Sequence, residues 1–76
     1  MTWVSKGKLH ECKWKTFKIV IHPAKQGFIP WVVFPDGHQF SMGVYVRLET
    51  AKAESERLVE RHALKEDRRM IQGSAR

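Results

Sequence analysis

One stretch decides the fold: Phe28-Ile-Pro-Trp-Val-Val-Phe-Pro-Asp-Gly-His-Gln-Phe-Ser-Met-Gly-Val-Tyr-Val46 holds most of the large apolar side chains of the chain. Residues 28–34 and 40–46 are rich in aromatic and β-branched residues, which favour strands. Between them, Pro35 presets φ, Asp36 can bond its own backbone, and Gly37 accepts a positive φ. The stretch therefore predicts a β-hairpin against which the rest of the chain packs.

Two residues interrupt this hairpin. Pro30 has no N–H to donate, so the first strand either starts at Trp31 or places Pro30 on an open edge. Gly43 indicates a bulge or a close approach, and packing beneath a helix or an aromatic ring is the expected reason for it.

A third strand precedes the hairpin. From Thr16 onward, Phe17, Ile19 and Ile21 alternate with Lys18, Val20 and His22, the period of a half-buried strand. The connection through residues 24–27 is short, and so short a connection permits only antiparallel neighbours. Three antiparallel strands in a meander leave one apolar face that needs a cover.

The segment after residue 47 is expected to supply that cover. Ala51, Ser55, Leu58, Val59 and His62 recur at helical spacing, with charged residues elsewhere. The predicted fold class is therefore α+β, a three-stranded antiparallel β-meander packed against one C-terminal α-helix (β-β-β-α).

The chain of 76 residues is expected to form a single domain. Residues 1–15 are predicted to be a basic N-terminal arm that could add a short strand, and residues 16–66 to form the β-β-β-α domain. Residues 67–76 are predicted to extend the helix and end in a disordered tail. Met70 and Ile71 have no partner in such a domain, so they either fray in solvent or bury against a second subunit in a homodimer.

The charge is concentrated at the N-terminus. The formal net charge is +6, and residues 1–26 hold six lysines against only Glu11, a net +5. Aromatic side chains interleave with these lysines, a pattern typical of surfaces that bind nucleic-acid phosphates. Lysines also protect the edges of ordinary sheets. The candidate contact residues are Lys6, Lys8, Lys13, Trp14, Lys15, Lys18 and Trp31.

Trp31 is included because of the strand alternation. If Phe28, Val32 and Phe34 face the helix, Trp31 lies on the other face of the sheet with Ile29 and Val33. That face would then carry an exposed apolar patch that suits a partner.

No pattern indicates catalysis, a metal or a cofactor. The four histidines and Cys12 do not match a zinc-ligand spacing, and there is no phosphate loop or nucleophile motif. We therefore expect neither an enzyme nor a metal site. No apolar run reaches membrane-spanning length, and a single cysteine fits a reducing compartment, so we expect no membrane partner and a cytoplasmic location.

Three motifs carry a resemblance over residues 16–66. They are Trp31-Val-Val-Phe-Pro-Asp-Gly37, Gly43-Val-Tyr-Val46 and Glu49-Thr-Ala-Lys-Ala-Glu-Ser-Glu-Arg-Leu58. Their layout resembles the small DNA-binding domains of phage-type integrase N-termini and plant ethylene-response factors, whose sheet enters the major groove. It is also similar to small bacterial or phage domains of unassigned function. The hairpin strands depart from these DNA-binding domains because their only arginine is Arg47, at one end, whereas direct base readout favours Arg, Asn and Gln. This departure leaves general phosphate contact by the lysines as the expectation.

Two hypotheses follow from the sequence. The first is a nucleic-acid-binding accessory protein that contacts DNA or RNA phosphates through its lysine-rich first strand and arm. The alternative is a protein-interaction module, a small regulator or inhibitor that docks on an acidic protein surface and could form a homodimer.

Overall fold

The chain folds into five strands followed by one helix. The computed structural model describes the backbone of residues 1–74 and the side chains of residues 1–65. The strands form one antiparallel meander in the order β1-β2-β3-β4-β5. The three-stranded prediction is therefore wrong, although the chain is α+β and its helix is C-terminal. The elements are β1 Trp3–Lys6, β2 Leu9–Trp14, β3 Phe17–Ala24, β4 Gly27–Val33, β5 Gln39–Ser41 and α1 Leu48–Ser74.

The predicted N-terminal arm contributes the two additional strands. Gly7 takes a φ of 61° between β1 and β2, which a residue without Cβ adopts readily. The tight turn lets β1 fold back on β2, and Trp3 pairs with Cys12. β2 in turn pairs with β3 along its length. The lysines of this segment are therefore held on a sheet.

The second half of the predicted hairpin is shorter than expected. β5 ends at Ser41, and Gly43 redirects the chain with a φ of 87°. A Cβ at Gly43 would meet nothing within 4 Å, so the predicted packing at this glycine is wrong. The chain returns to the sheet at Tyr45, whose N–H and C=O each bond the backbone of Phe28 at 2.7 Å.

Gly27 is the position where two backbones do approach closely. A Cβ built there would lie 2.1 Å from the carbonyl oxygen of Tyr45, and the φ of Gly27 is 149°. Only glycine fits this site without a shift of the backbone. The return of the chain to β4 therefore depends on Gly27.

Pro30 lies within β4, which begins at Gly27. Its carbonyl accepts a bond from the N–H of Met42, just after β5 has ended. A residue in an antiparallel strand directs its N–H and C=O to the same side, so the missing donor of Pro30 lies between β5, which ends at Ser41, and the bridge from Phe28 to Tyr45. Because β4 is an interior strand that begins at Gly27, both expectations for Pro30, a strand start at Trp31 and an open edge, are wrong.

The helix covers the predicted face of the sheet. Ala51, Ser55, Val59 and Ala63 are buried on α1, and Ser55 satisfies its hydroxyl by donating to the carbonyl of Ala51 at 2.8 Å. Leu58 and His62 of the predicted stripe are half-buried. Facing α1, the buried side chains of the strands are Cys12, Phe17, Ile19, Ile21, Pro30 and Val32.

The helix begins at Leu48 and continues through Ser74, past residue 66, where the β-β-β-α domain was predicted to end and a helical extension to begin. Met70 and Ile71, on which the homodimer prediction depends, lie outside the residues whose side chains are described, and residues 75–76 of the predicted tail lie outside the described chain. In residues 1–74, no helix combines the length and the apolar character that a bilayer crossing requires.

Candidate functional site on the open sheet face

We use the term open face for the side of the sheet opposite α1. Strand alternation places its members between the buried residues that face the helix. For example, Lys18 and Val20 flank the fully buried Ile19 on β3. The register brings the following side chains onto this face: Val4, Lys6, Leu9, Glu11, Lys13, Lys18, Val20, His22, Ile29, Trp31, Val33, Gln39 and Ser41.

Two lysines lie side by side at the centre of this basic region. Lys13 on β2 is the direct cross-strand partner of Lys18 on β3. Directly opposed side chains have Cβ atoms about 4.5–5.5 Å apart, and like charges there destabilise a sheet. Within the described part of the chain, the side chain of Lys13 has no hydrogen bond or ion pair, so its ammonium group is available to an external anion.

Glu11 forms ion pairs with two of the neighbouring lysines. Its Oε1 lies 3.0 Å from Nζ of Lys18, and its Oε2 lies 3.2 Å from Nζ of Lys6. The hydrogen bond with Lys18, and to a smaller extent the one with Lys6, lowers the pKa of Glu11, so the carboxylate stays ionised at neutral pH. The three lysines and this glutamate leave a net charge of +2 on the cluster.

An apolar group of side chains, Val20, Ile29, Trp31 and Val33, lies next to the cluster. Val20 on β3 pairs with Trp31 on β4, and on its other side with Glu11. Trp31 is 36% exposed, and Glu11 separates this group from Val4 on β1, which is 52% exposed. The predicted position of Trp31, on the same face as Ile29 and Val33, is confirmed.

The remaining predicted contact residues lie elsewhere. Lys8 is exposed in the turn between β1 and β2. Lys15 occupies the turn between β2 and β3, and its Nζ lies 4.9 Å from the ring centroid of Trp14. Trp14 lies on the side of the sheet that faces α1, where it packs against the core. The structure therefore separates Trp14 from the lysine cluster.

Trp3 also belongs to the covered side. Its Nε1 donates to Oε2 of Glu56 on α1 at 3.0 Å, and the Nζ of Lys52 lies 5.4 Å from its ring centroid. The edge strand β1 therefore contacts the helix through Trp3. Of the three tryptophans, Trp31 alone is on the open face.

Sequence reasoning missed Val4, Glu11 and Val20 as members of the site. The membership of Val4 and Glu11 depends on the pairing of β1 with β2 and of β2 with β3, and the N-terminal pattern was too irregular to establish either strand. Val20 was predicted on the outer side of β3 but was not assigned to a site. The Gly7-Lys8 step between two short apolar runs was the available signal.

A concavity of about 420 Å³ lies away from the open face, between the β4–β5 connection and α1. Phe34 and His62 meet there at 5.1 Å between ring centroids. Asp36 and His38 line it too, but Asp36 accepts the backbone N–H of His38 at 2.9 Å, and this bond lowers the pKa of Asp36. Both side chains therefore stabilise the turn, and we assign no chemistry to this hollow.

Neither a nucleophile nor a metal centre emerges from the described side chains. Burial raises the pKa of the Cys12 thiol, which keeps it protonated and unreactive. Within residues 1–65, no three His, Cys, Asp or Glu side chains converge.

Comparison with known proteins adds no identification. The chain matches no family model, no curated protein and no solved structure. The resemblance to DNA-binding domains accordingly stays a prediction.

Proposed function

We propose that this protein is a nucleic-acid-binding accessory protein that contacts DNA or RNA phosphates through the open face of β1, β2 and β3. The observation that carries the proposal is the direct opposition of Lys13 and Lys18 beside Lys6. This arrangement is unfavourable in the free protein and becomes favourable when an anion neutralises it. An exposed aromatic side chain, Trp31, lies on the same face.

The proposed contact is with the nucleic-acid backbone. Phosphate contacts fix orientation but do not read sequence, whereas base readout relies on bidentate contacts from Arg, Asn and Gln and on contacts of Arg or Lys with guanine. The lysine cluster contains no Arg, Asn or Gln. Binding with little sequence preference therefore fits the open face best. A cytoplasmic site of action is part of the proposal, because a single buried thiol suits a reducing compartment.

The salt dependence of binding tests the proposal. The affinity for a labelled oligonucleotide should fall with salt, with log K declining by about 0.7 per neutralised phosphate on single strands and about 0.9 on duplex. The double variant Lys13→Gln/Lys18→Gln should bind more weakly and lower the slope by about 1.4 on single strands. Fluorescence anisotropy at several salt concentrations measures both quantities.

A matched control removes the same charge from the opposite side of the molecule. Arg61 and Lys65 are exposed on α1, so Arg61→Gln/Lys65→Gln lowers the net charge equally without touching the open face. This control should keep the wild-type slope. Equal loss in the two double variants would show that net charge alone drives binding, and absence of binding at ~50 mM salt would refute the proposal.

A protein-interaction module, acting as a regulator or inhibitor on an acidic protein or as a homodimer, is the second candidate. The uncovered apolar group of Val20, Ile29, Trp31 and Val33 favours it, because monomeric proteins seldom leave a contiguous apolar patch without a partner. Pull-down from native lysate with and without nuclease separates the two functions. A protein partner retained after nuclease treatment supports the second candidate, and one released by nuclease supports the first.

A further inference from the structure

We propose that the preferred ligand is a single-stranded nucleic acid, with one base stacked on Trp31 while the backbone passes over Lys18 and Lys13. This inference rests on the proposed function and specifies the class of nucleic acid. It follows from three features of the open face, namely its width, the distance between its aromatic and basic groups, and the character of the surface between them.

The width of the sheet argues against insertion into duplex DNA. Five strands spaced about 4.8 Å apart span about 19 Å. The major groove of B-DNA is about 12 Å wide and admits a helix or a two-stranded ribbon. Trp31 lies on β4 and the clustered lysines lie on β1, β2 and β3, four strands that span about 14 Å, so the groove cannot hold Trp31 together with the whole basic cluster. A single strand has exposed bases and imposes no such limit.

The spacing of the groups suits one extended strand. Trp31 is one strand and two residues away from Lys18, which places the two Cα atoms about 8 Å apart. The same geometry places Lys13, one strand further, about 12 Å from Trp31. The flexible side chains of Lys18 and Lys13 can extend over part of these distances. If one base of a nucleic-acid strand stacks on Trp31, both lysines can therefore reach the neighbouring phosphates of that strand.

The surface between these groups is apolar. Val20 and Val33 lie between Trp31 and the lysines and offer no groups that would read a base edge. Stacking on an aromatic ring accepts any base because every base has a π-face. Together, a stacking platform and a basic track are the two components that bind single strands without sequence preference.

The test compares probes of one length, about 12 nucleotides, within the range that small single-strand-binding folds occupy. The probes are oligo(dT), a mixed-sequence single strand and its duplex. Wild-type protein should bind both single strands more tightly than the duplex. Trp31→Leu, which keeps apolar bulk and removes the ring, should weaken single-strand binding roughly 5- to 150-fold and leave the salt slope unchanged.

Two further variants serve as controls. Trp31→Tyr restores a ring and should recover most of the affinity. Phe40→Ala removes another exposed aromatic side chain, which is 48% exposed and lines the concavity between the β4–β5 connection and α1. This variant should bind like the wild type. Circular dichroism and thermal melting establish that each variant is folded.

The outcomes separate this inference from the proposed function. Equal affinity for duplex and single strand, or full affinity of Trp31→Leu, overturns the single-strand inference; salt-dependent binding that needs Lys13 and Lys18 then still supports the proposed function. Lack of binding to every probe overturns both.

Discussion

Lys13 on β2 lies directly opposite Lys18 on β3, and Glu11 pairs with Lys18 but not with Lys13. The sheet therefore keeps one ammonium group beside another without a described counter-charge. Proteins commonly accept a local loss of stability of this kind at a binding site, where the ligand supplies the missing charge.

Replacement of Lys13 by Glu should increase stability and reduce nucleic-acid binding. The new carboxylate would face Lys18 across the strands, and an opposite-charge pair in this position contributes about 0.2–1 kcal/mol relative to Ala–Ala. Urea denaturation measures the gain, and anisotropy measures the loss of binding. Lys13→Gln, which removes repulsion without adding attraction, should be intermediate in stability. A less stable Lys13→Glu protein would contradict the assigned cross-strand repulsion.

Glu11→Gln should bind nucleic acid more tightly than the wild type. The substitution removes the carboxylate that pairs with Lys6 and Lys18. One charge at about 4 Å in water is worth about 1 kcal/mol, so a roughly 5-fold increase is expected at low salt. Titration at two salt concentrations should show the difference shrinking as salt rises. Unchanged affinity would mean that these two lysines do not contact the ligand.

The same glutamate makes stability depend on pH. Its pKa is lowered in the folded state by hydrogen bonds with Lys18 and Lys6, so the stabilisation is complete above the unfolded-state pKa. It is lost as the pH falls below the unfolded-state pKa and through the lower pKa of the folded state, where the carboxylate becomes protonated. Urea midpoints at pH 7 and pH 3 should differ less in Glu11→Gln than in the wild type. Asp36, whose pKa is also lowered, should preserve a residual difference.

Gly27→Ala should be much more destabilising than Gly43→Ala. Both positions have a positive φ, which costs a residue with Cβ about 1–2 kcal/mol. At Gly27 the new methyl would also overlap the carbonyl of Tyr45, whereas Gly43 has open space. Thermal and urea denaturation of the two variants isolates the steric contribution. Equal losses would show that the backbone at Tyr45 moves away at little cost.

Trp3→Phe should lower stability by about 1 kcal/mol, because it deletes the donor to the partly exposed carboxylate of Glu56. Hydrogen exchange at β1 should increase more than exchange at β3, since the contact joins the edge strand to α1. Glu56→Gln retains an acceptor oxygen and serves as the milder variant. If β1 amides exchange equally in wild type and Trp3→Phe, the contact does not hold the edge strand.

Parts of the fold were predictable from local pattern. The alternation around Ile19 indicated β3, and the spacing of Ala51, Ser55 and Val59 indicated the buried stripe of α1. β1 and β2 were missed because their short runs alternate weakly, and pairing with a neighbour stabilises them more than local preference does. The strand predicted over residues 40–46 was longer than β5, because Val44 and Val46 are residue types that favour strands, whereas Gly43 turns the chain away from the sheet.

The candidate site, too, was predictable from the sequence only in part. The lysines and tryptophans were visible in the sequence, and their excess of positive charge near the N-terminus needed no structure. Which of them share a face did not follow from composition, because a strand sends successive side chains to opposite sides and register sets their neighbours. The pairing of Cys12 with Ile19 places Trp14 toward the helix and Lys13 toward the open face.

The sequence by itself determined the α+β class, the covering helix, the basic N-terminal third and the position of Trp31. Tertiary structure decided that the N-terminal third is a hairpin of the sheet, that Lys13 opposes Lys18, and that Glu11 joins Lys6 to Lys18. The physical reason is that periodicity is local and can be read along the chain. Strand pairing instead joins separate segments through backbone hydrogen bonds, and that pairing sets which charged side chains meet.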